Sequence, residues 1–245
     1  MPEEITTETV TLSASDGTTL PAYVARPASA GPHPAVLVFQ EAFGVNAHIR
    51  DVTERFARAG YTAIAPALYH RTDAQFEGVY TDFGPAMAHL QALTDAGQTA
   101  DIQAAYDWLT SPDGGAATAV ASTGYCMGGR TSFLADTLLP LSASMSYYGG
   151  GIAPSEGSPF PGLLGKANTL HAPLLMFWGG KDEHIGMDGP RAVEDALRAA
   201  KKPYTQVVFS EADHGFFCDV RASYNPDAAR QAWALTLEFL ATYVK

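Results

Sequence analysis

Cysteine is scarce in this 245-residue chain: Cys126 and Cys218 stand far apart and form no CxxC pair. That excludes a disulfide scaffold or a zinc site and leads us to expect a reduced, cytoplasmic setting, with no metal and no cofactor. Clustered basic residues are missing too. Lys and Arg number 15 against 26 Asp and Glu, for a formal net charge of −11. Neither nucleic acid nor an anionic membrane finds the basic patch it would need. No run approaches the roughly 18 consecutive apolar residues of a membrane-spanning helix. The stretch 1-MPEEITTETVTLSAS-15 has no basic start and no apolar core, so no secretory signal is expected. Repeats and low-complexity linkers are also absent, which predicts one domain over residues 1–245.

What is present is an ordinary globular composition, 47% hydrophobic and 17% charged. Strand-like and helix-like segments alternate. A hairpin is expected around 16-DG-17, between Thr9–Leu12 and Leu20–Ala25. Further strands are expected at 35–40, 61–68, 118–123, 142–149, 173–179 and 204–210. Helices are expected at His48–Ala59, ending at Gly60, and at Thr99–Leu109, Arg130–Leu139, Pro190–Ala200 and Pro226–Tyr243, with each proline at the first helical position. Residues 70–97 read as an irregular or helical excursion. Near-continuous apolar strands alternating with helices predict an α/β fold with a mostly parallel central sheet, helices on both faces, and sites at the carboxyl ends of strands.

The strand at 118–123 runs into 124-GYCMGG-129. Its first five residues have the form Gly-x-nucleophile-x-Gly, a nucleophile elbow with cysteine in the place of serine. On such a turn the central side chain projects outward from strained backbone, and side chains at 124 or 128 would strike the neighbouring strand and helix. By itself the pentapeptide leaves Cys126 either a nucleophile or a small apolar residue among glycines. The order of the other polar residues favours the nucleophile. Asp182 follows the strand at 173–179, and His214 follows the strand at 204–210, in the order nucleophile, acid, base. In that arrangement His214 takes the thiol proton and Asp182 orients the imidazole. Glu183 and Asp188 compete for the acid's place. His33, His48, His70, His89 and His171 read as surface or core residues, as does His184 despite its closeness to Asp182.

Two backbone amides would complete an oxyanion hole: Met127, at the start of the helix after the elbow, and Ala42, in the loop 41-EAFGVN-46. Glu41 in that loop is unexpected near a thiol, since a carboxylate disfavours the thiolate. On spacing alone it could also be a solvated loop residue.

With 40-QEAFGVN-46, 67-ALYHR-71, 147-YYGGG-151, 178-WGGKDE-183 and 213-DHGFF-217 added to the elbow, the chain resembles the dienelactone hydrolase (carboxymethylenebutenolidase) family of α/β-hydrolases over essentially its whole length. The resemblance implies a Cys126–His214–Asp182 triad with Glu41 as a fourth member that restrains the thiol until substrate arrives. It implies oxyanion donation from Ala42 and Met127 and a substrate pocket including Phe43 and Tyr148. Tyr69, Arg71, Trp178 and Phe216 join the pocket candidates. The family holds the carboxylate of dienelactone with two arginines, one of them four residues after the histidine. Here that position is Cys218, and residues 72–109 hold no arginine, leaving Arg71 and Arg221 as nearby substitutes. The expected substrate is therefore a small ester or lactone less charged than dienelactone, cleaved by a monomer or small homo-oligomer through a thioester. Two alternatives are the same fold acting on a phosphotriester or peptide bond, and a non-catalytic thiol redox or binding protein.

Overall fold

In the computed structural model, residues 3–155 and 158–245 are described. The chain divides into two compact units, Met1–Ala121 with Val244–Lys245, and Ser122–Tyr243.

The first unit begins with the expected hairpin. β1 (Ile5–Ser13) pairs antiparallel with β2 (Thr19–Pro27), from Ile5 opposite Pro27 to Ser13 opposite Thr19. The turn closes because Asp16 accepts from the Thr18 amide and Gly17 takes φ +85°. β3 (Ala35–Phe39) and β4 (Thr62–Pro66) pair in parallel, and β4 pairs antiparallel with β2, so the strands lie in the order β1-β2-β4-β3. Every residue of β3 is fully buried, as a run of apolar side chains without alternation requires. α1 (Ala47–Arg58) is capped by Asn46, whose side chain accepts from the Ile49 amide. It buries Ile49, Val52 and Phe56, and Gly60 ends it at φ +96°. Ala59, the expected last residue of the helix, is instead its exposed cap.

The excursion at 70–97 contains two helices, α2 (His70–Asp73) and α3 (Gly84–Ala92). α4 (Asp95–Thr110) starts four residues before the expected Thr99, because the Thr94 hydroxyl accepts from the Gly97 amide and turns a glycine that looks like a breaker into first-turn backbone.

In the second unit the order is β5-β6-β7-β8. β5 (Val120–Tyr125) leads straight into α5 (Met127–Asp136), so the helix begins three residues before the expected Arg130. β6 (Ala143–Tyr147), β7 (Leu174–Gly179) and β8 (Tyr204–Phe209) are parallel neighbours, with Tyr147 opposite Phe177 and Gly179 opposite Phe209. A 3-10 segment at Leu164–Thr169 was not expected. α6 (Asp188–Ala199) starts two residues ahead of Pro190, which is therefore its third residue, whereas α7 (Pro226–Tyr243) has the expected bounds.

The core of this unit is aromatic. Tyr147 packs on Tyr125 (centroids 4.7 Å apart) and Phe177 (4.6 Å), and its hydroxyl bonds to Thr236 Oγ1 on α7 at 2.6 Å. Beneath the elbow, the buried hydroxyls of Ser122, Ser132 and Ser144 bond to one another at 2.8–3.2 Å, so β5, α5 and β6 meet through polar groups whose mutual hydrogen bonds offset the cost of burying them. The strands are mostly parallel and bear helices, the α/β class expected from the sequence.

Candidate active site

Cys126 lies between β5 and α5 at φ +56°, ψ −122°, a conformation that costs a residue with a Cβ about 1–3 kcal/mol. Its surroundings impose it. The Cys126 amide donates to the Tyr147 carbonyl at 3.0 Å, and the Cys126 carbonyl accepts from the Gly129 amide at 2.9 Å. The glycines are needed for close approach. A Cβ on Gly124 would sit 1.8 Å from the Gly128 carbonyl oxygen, and one on Gly129 would sit 2.6 Å from Ser146 Oγ and 2.7 Å from Gly149 Cα. Gly124 and Gly129 therefore serve two contacts, one across the turn and one against the end of β6. The thiol itself is half-buried.

Asp182 follows β7 and is held by its own turn, with Oδ1 accepting from the Ile185 amide at 3.0 Å. A Cβ on Gly179 would lie 2.6 Å from the Ala212 carbonyl oxygen, and one on Gly180 would lie 2.6 Å from Ser210 Cα. The two glycines thus let the loop after β7 press against the loop after β8. That contact brings His214 Nδ1 to 2.8 Å from Asp182 Oδ2. The ring's other nitrogen is left for the thiol, and His214 shares a hydrogen bond with Cys126.

Of the competing acids, Glu183 is exposed, and Asp188 is exposed and pairs with Arg191 at 3.1 Å. Burial opposes ionisation of Asp182, yet the hydrogen bond and charge of His214 together with the Ile185 amide leave its carboxyl below the usual range. Burial also opposes the imidazolium of His214, but Cys126 and Asp182 on its two sides raise it to about 10. The site therefore favours an imidazolium at His214, held by Asp182 on one side and facing Cys126 on the other.

Among the expected pocket residues, Tyr148 has its ring 5.1 Å from that of His214 and its backbone at φ +38°. Phe216 lies behind it, 5.3 Å from the Tyr148 ring and fully buried. Trp178 takes another course. Strand alternation turns it away from Phe177, which faces Tyr147, and its indole donates to Gln206 on β8 at 3.1 Å. Trp178 belongs to the packing of the sheet rather than to the aromatic group around His214.

Two further residues adjoin His214: His184, read from the sequence as a surface or core residue, and Arg221, read as a substitute arginine. The His184 ring stands edge-on at 5.2 Å, and partial burial followed by the charge of His214 holds it below the ordinary histidine value. A Cβ on Gly215 would meet the Arg221 guanidinium at 2.4 Å, so Arg221 lies against the backbone next to the base. Spacing from Asp182 was the available signal for His184, and closeness to His214 in the chain the signal for Arg221. The amide of Met127 is among the first of α5, where helix geometry leaves N–H groups without an intrahelical acceptor.

The remaining candidates lie in the first unit. Glu41 is fully buried, which rules out the solvated loop residue. Phe43 packs on Tyr80 (4.6 Å) and Phe83 (5.8 Å). Tyr69 is buried, with its ring 5.7 Å from Phe76 and 5.4 Å from His89. Arg71 is corrected. Its guanidinium forks onto the fully buried Asp101 at 2.8 and 2.9 Å and reaches Asp16 at 2.6 Å. Both carboxylates would have to be abandoned for Arg71 to bind a substrate, so it ties α2 to α4 and to the first hairpin instead. His70 joins the same cluster at 3.0 Å from Asp101.

The profile of the dienelactone hydrolase family matches residues 20–244. A protein of Synechocystis sp. named "Putative carboxymethylenebutenolidase" is 37% identical over 228 residues, covering 91% of this chain and 92% of its own. One of the same name from Escherichia coli is 37% identical over 235 residues, covering 94% and 84%. The crystal structure named "Putative Dienelactone Hydrolase" from Klebsiella pneumoniae subsp. pneumoniae is 36% identical with a TM-score of 0.88, covering 98% of this chain and 100% of that one. A dienelactone hydrolase-like promiscuous phosphotriesterase from metagenomic libraries is 25% identical with a TM-score of 0.82, covering 98% and 99%. Matches of this extent, on a chain with the elbow built as described, leave one assignment: the chain is an α/β-hydrolase and belongs to the dienelactone hydrolase family.

Proposed function

We propose that this protein hydrolyses a small, weakly charged ester or lactone through a thioester on Cys126. The observation that carries the proposal is the line from the strained, outward-facing Cys126 through His214 to Asp182, with 2.8 Å between the last two.

The thiolate attacks the carbonyl carbon; a carbon–sulfur bond forms and the carbonyl π pair moves onto oxygen. The amides of Ala42 and Met127 are the proposed donors to that oxyanion. Collapse breaks the carbon–oxygen bond, and the leaving alkoxide takes the proton of the His214 imidazolium. In a lactone this alcohol stays tethered. Water then attacks the thioester while His214 accepts its proton, releasing the acid and restoring the pair.

Glu41 is the proposed restraint on the resting thiol. Its complete burial supports this, because a carboxyl away from water must be paired or must exchange a proton. Phe43, Tyr148 and Phe216 are the proposed aromatic wall. The engagement of Arg71 by two carboxylates supports a substrate less charged than dienelactone, with Arg221 a cation against the backbone beside the base. The family match runs through both units, which supports one catalytic domain over residues 1–245, and two cysteines without a disulfide support a reducing, cytoplasmic setting.

The test is turnover of p-nitrophenyl acetate and of neutral and carboxylated lactones, by wild type and Cys126→Ala. Burst release of nitrophenol, neutral lactones preferred and no turnover by the variant are expected. Equal rates for the variant would overturn the thioester. A phosphotriester belongs in the same panel, because a relative 25% identical over nearly the whole chain is named a phosphotriesterase.

A further inference from the structure

The loop that follows β3 is bonded carbonyl by carbonyl within the first unit. The Glu41 carbonyl accepts from Gln40 Nε2 at 3.3 Å, the Ala42 carbonyl from the Tyr69 hydroxyl at 3.1 Å, and the Phe43 carbonyl from the Gly78 amide at 3.0 Å. Gln40 is fully buried, and its Oε1 accepts from the Leu68 amide at 3.0 Å, so the residue beside Tyr69 in the chain is joined to the same brace. Tyr69 is anchored in turn. Thr72 returns a hydroxyl and an amide to its carbonyl at 2.9 and 2.8 Å, and the helix that begins at His70 is clamped to buried Asp101 through His70 and Arg71.

A peptide unit is planar and trans, so its N–H points opposite to its C=O. The Glu41 carbonyl and the Ala42 amide belong to one such plane. Fixing the first therefore aims the second, and the Tyr69 bond fixes the next plane and thereby the dihedrals at Ala42.

We infer that Gln40 and Tyr69 are positioning residues that hold the Ala42 amide in the direction an oxyanion needs. The inference rests on the proposed role of Ala42 as an oxyanion donor. It also gives Tyr69, a pocket candidate from the sequence, a different task, performed by its hydroxyl on the backbone. Preorganisation of this kind acts where charge develops and leaves substrate binding alone. Deleting an oxyanion donor outright costs about 100- to 1,000-fold in kcat, and loosening one that remains should cost less, about 10-fold.

The experiment compares wild type, Tyr69→Phe, Gln40→Met and Cys126→Ala. Tyr69→Phe keeps the ring against Phe76 and His89 and removes only the hydroxyl. Expected for it are kcat lowered about 10-fold with KM unchanged, and a trifluoromethyl ketone, which adds to the thiol and builds an oxyanion, bound about 10-fold more weakly. Alkylation of Cys126 by iodoacetamide builds no oxyanion and should run at the wild-type rate. Gln40→Met should show the same pattern; if it fails to fold, as its melting curve would reveal, Tyr69→Phe decides alone. Wild-type kcat and ketone affinity in folded Tyr69→Phe, with Cys126→Ala inactive, would overturn this inference and leave the thioester standing. Turnover by Cys126→Ala would instead remove the reading on which it rests.

Discussion

Asp136, the last residue of the helix that follows the nucleophile, is fully buried. Its Oδ1 accepts from the amides of His171 and Ala172 at 3.1 and 2.9 Å, while Oδ2 has no hydrogen-bond partner among the described residues. Burial outweighs these two bonds and the distant charge of Lys202, and raises the carboxyl from 3.8 to about 7. A group raised in the folded state contributes stability that is fully present below its unfolded value and lost as pH rises through its folded one. The window here runs from about pH 4 to about pH 7. Asp136→Asn keeps an oxygen for the two amides and resembles the protonated form at every pH. Across the upper two units of that window, at about 1.4 kcal/mol per unit, wild type should lose about 3 kcal/mol relative to the variant. Urea unfolding at about pH 5 and about pH 8 measures the difference, with the stability of the variant relative to wild type expected to be about 3 kcal/mol greater at the higher pH. A stability gap that is the same at both pH values would refute the assignment of a proton to Asp136.

Two other outcomes follow from the site. Gly124→Ala places a methyl 1.8 Å from the Gly128 carbonyl oxygen, so either the elbow opens or the protein fails to fold; thermal melting and ester turnover should both fall, and a normal melt with normal turnover would show that the turn is not rigid. With His214 raised to about 10, the alkaline limb of kcat/KM should lie far above an ordinary histidine value, and Asp182→Asn should move it to lower pH by removing one of the two charges that raise it. The stability that His214 contributes is present below an unfolded value of about 6.5 and lost as pH rises through about 10, so the wild type should also melt earlier at the alkaline end.

Local chemistry made most elements legible. The Asp-Gly turn, the apolar β3, the stop at Gly60 and the Pro226 start all act within a few residues. The misses came where a local sign was overruled. The helix expected from Thr99 starts at Asp95, because the Thr94 side chain takes the Gly97 amide. Arg71 looked available because the two carboxylates that hold it, Asp16 and Asp101, are remote in the chain. Trp178 looked like pocket wall because alternation along β7 assigns faces only once Phe177 is known to meet Tyr147.

Residue types and their order along the chain by themselves determined the α/β class, the nucleophile turn and the sequence Cys126, Asp182, His214, because these follow from periodicity and from motifs carried by contiguous residues. Only the tertiary structure decided that Asp182 rather than Glu183 or Asp188 faces His214, that Glu41 is buried, and that the Tyr69 hydroxyl acts on the Ala42 carbonyl. The physical reason is the same in each case. Hydrogen-bond direction and desolvation depend on groups tens of residues away: Asp182 meets His214 where Gly179 and Gly180 let backbone press on the loop after β8, and the Ala42 carbonyl meets a hydroxyl 27 residues further along the chain.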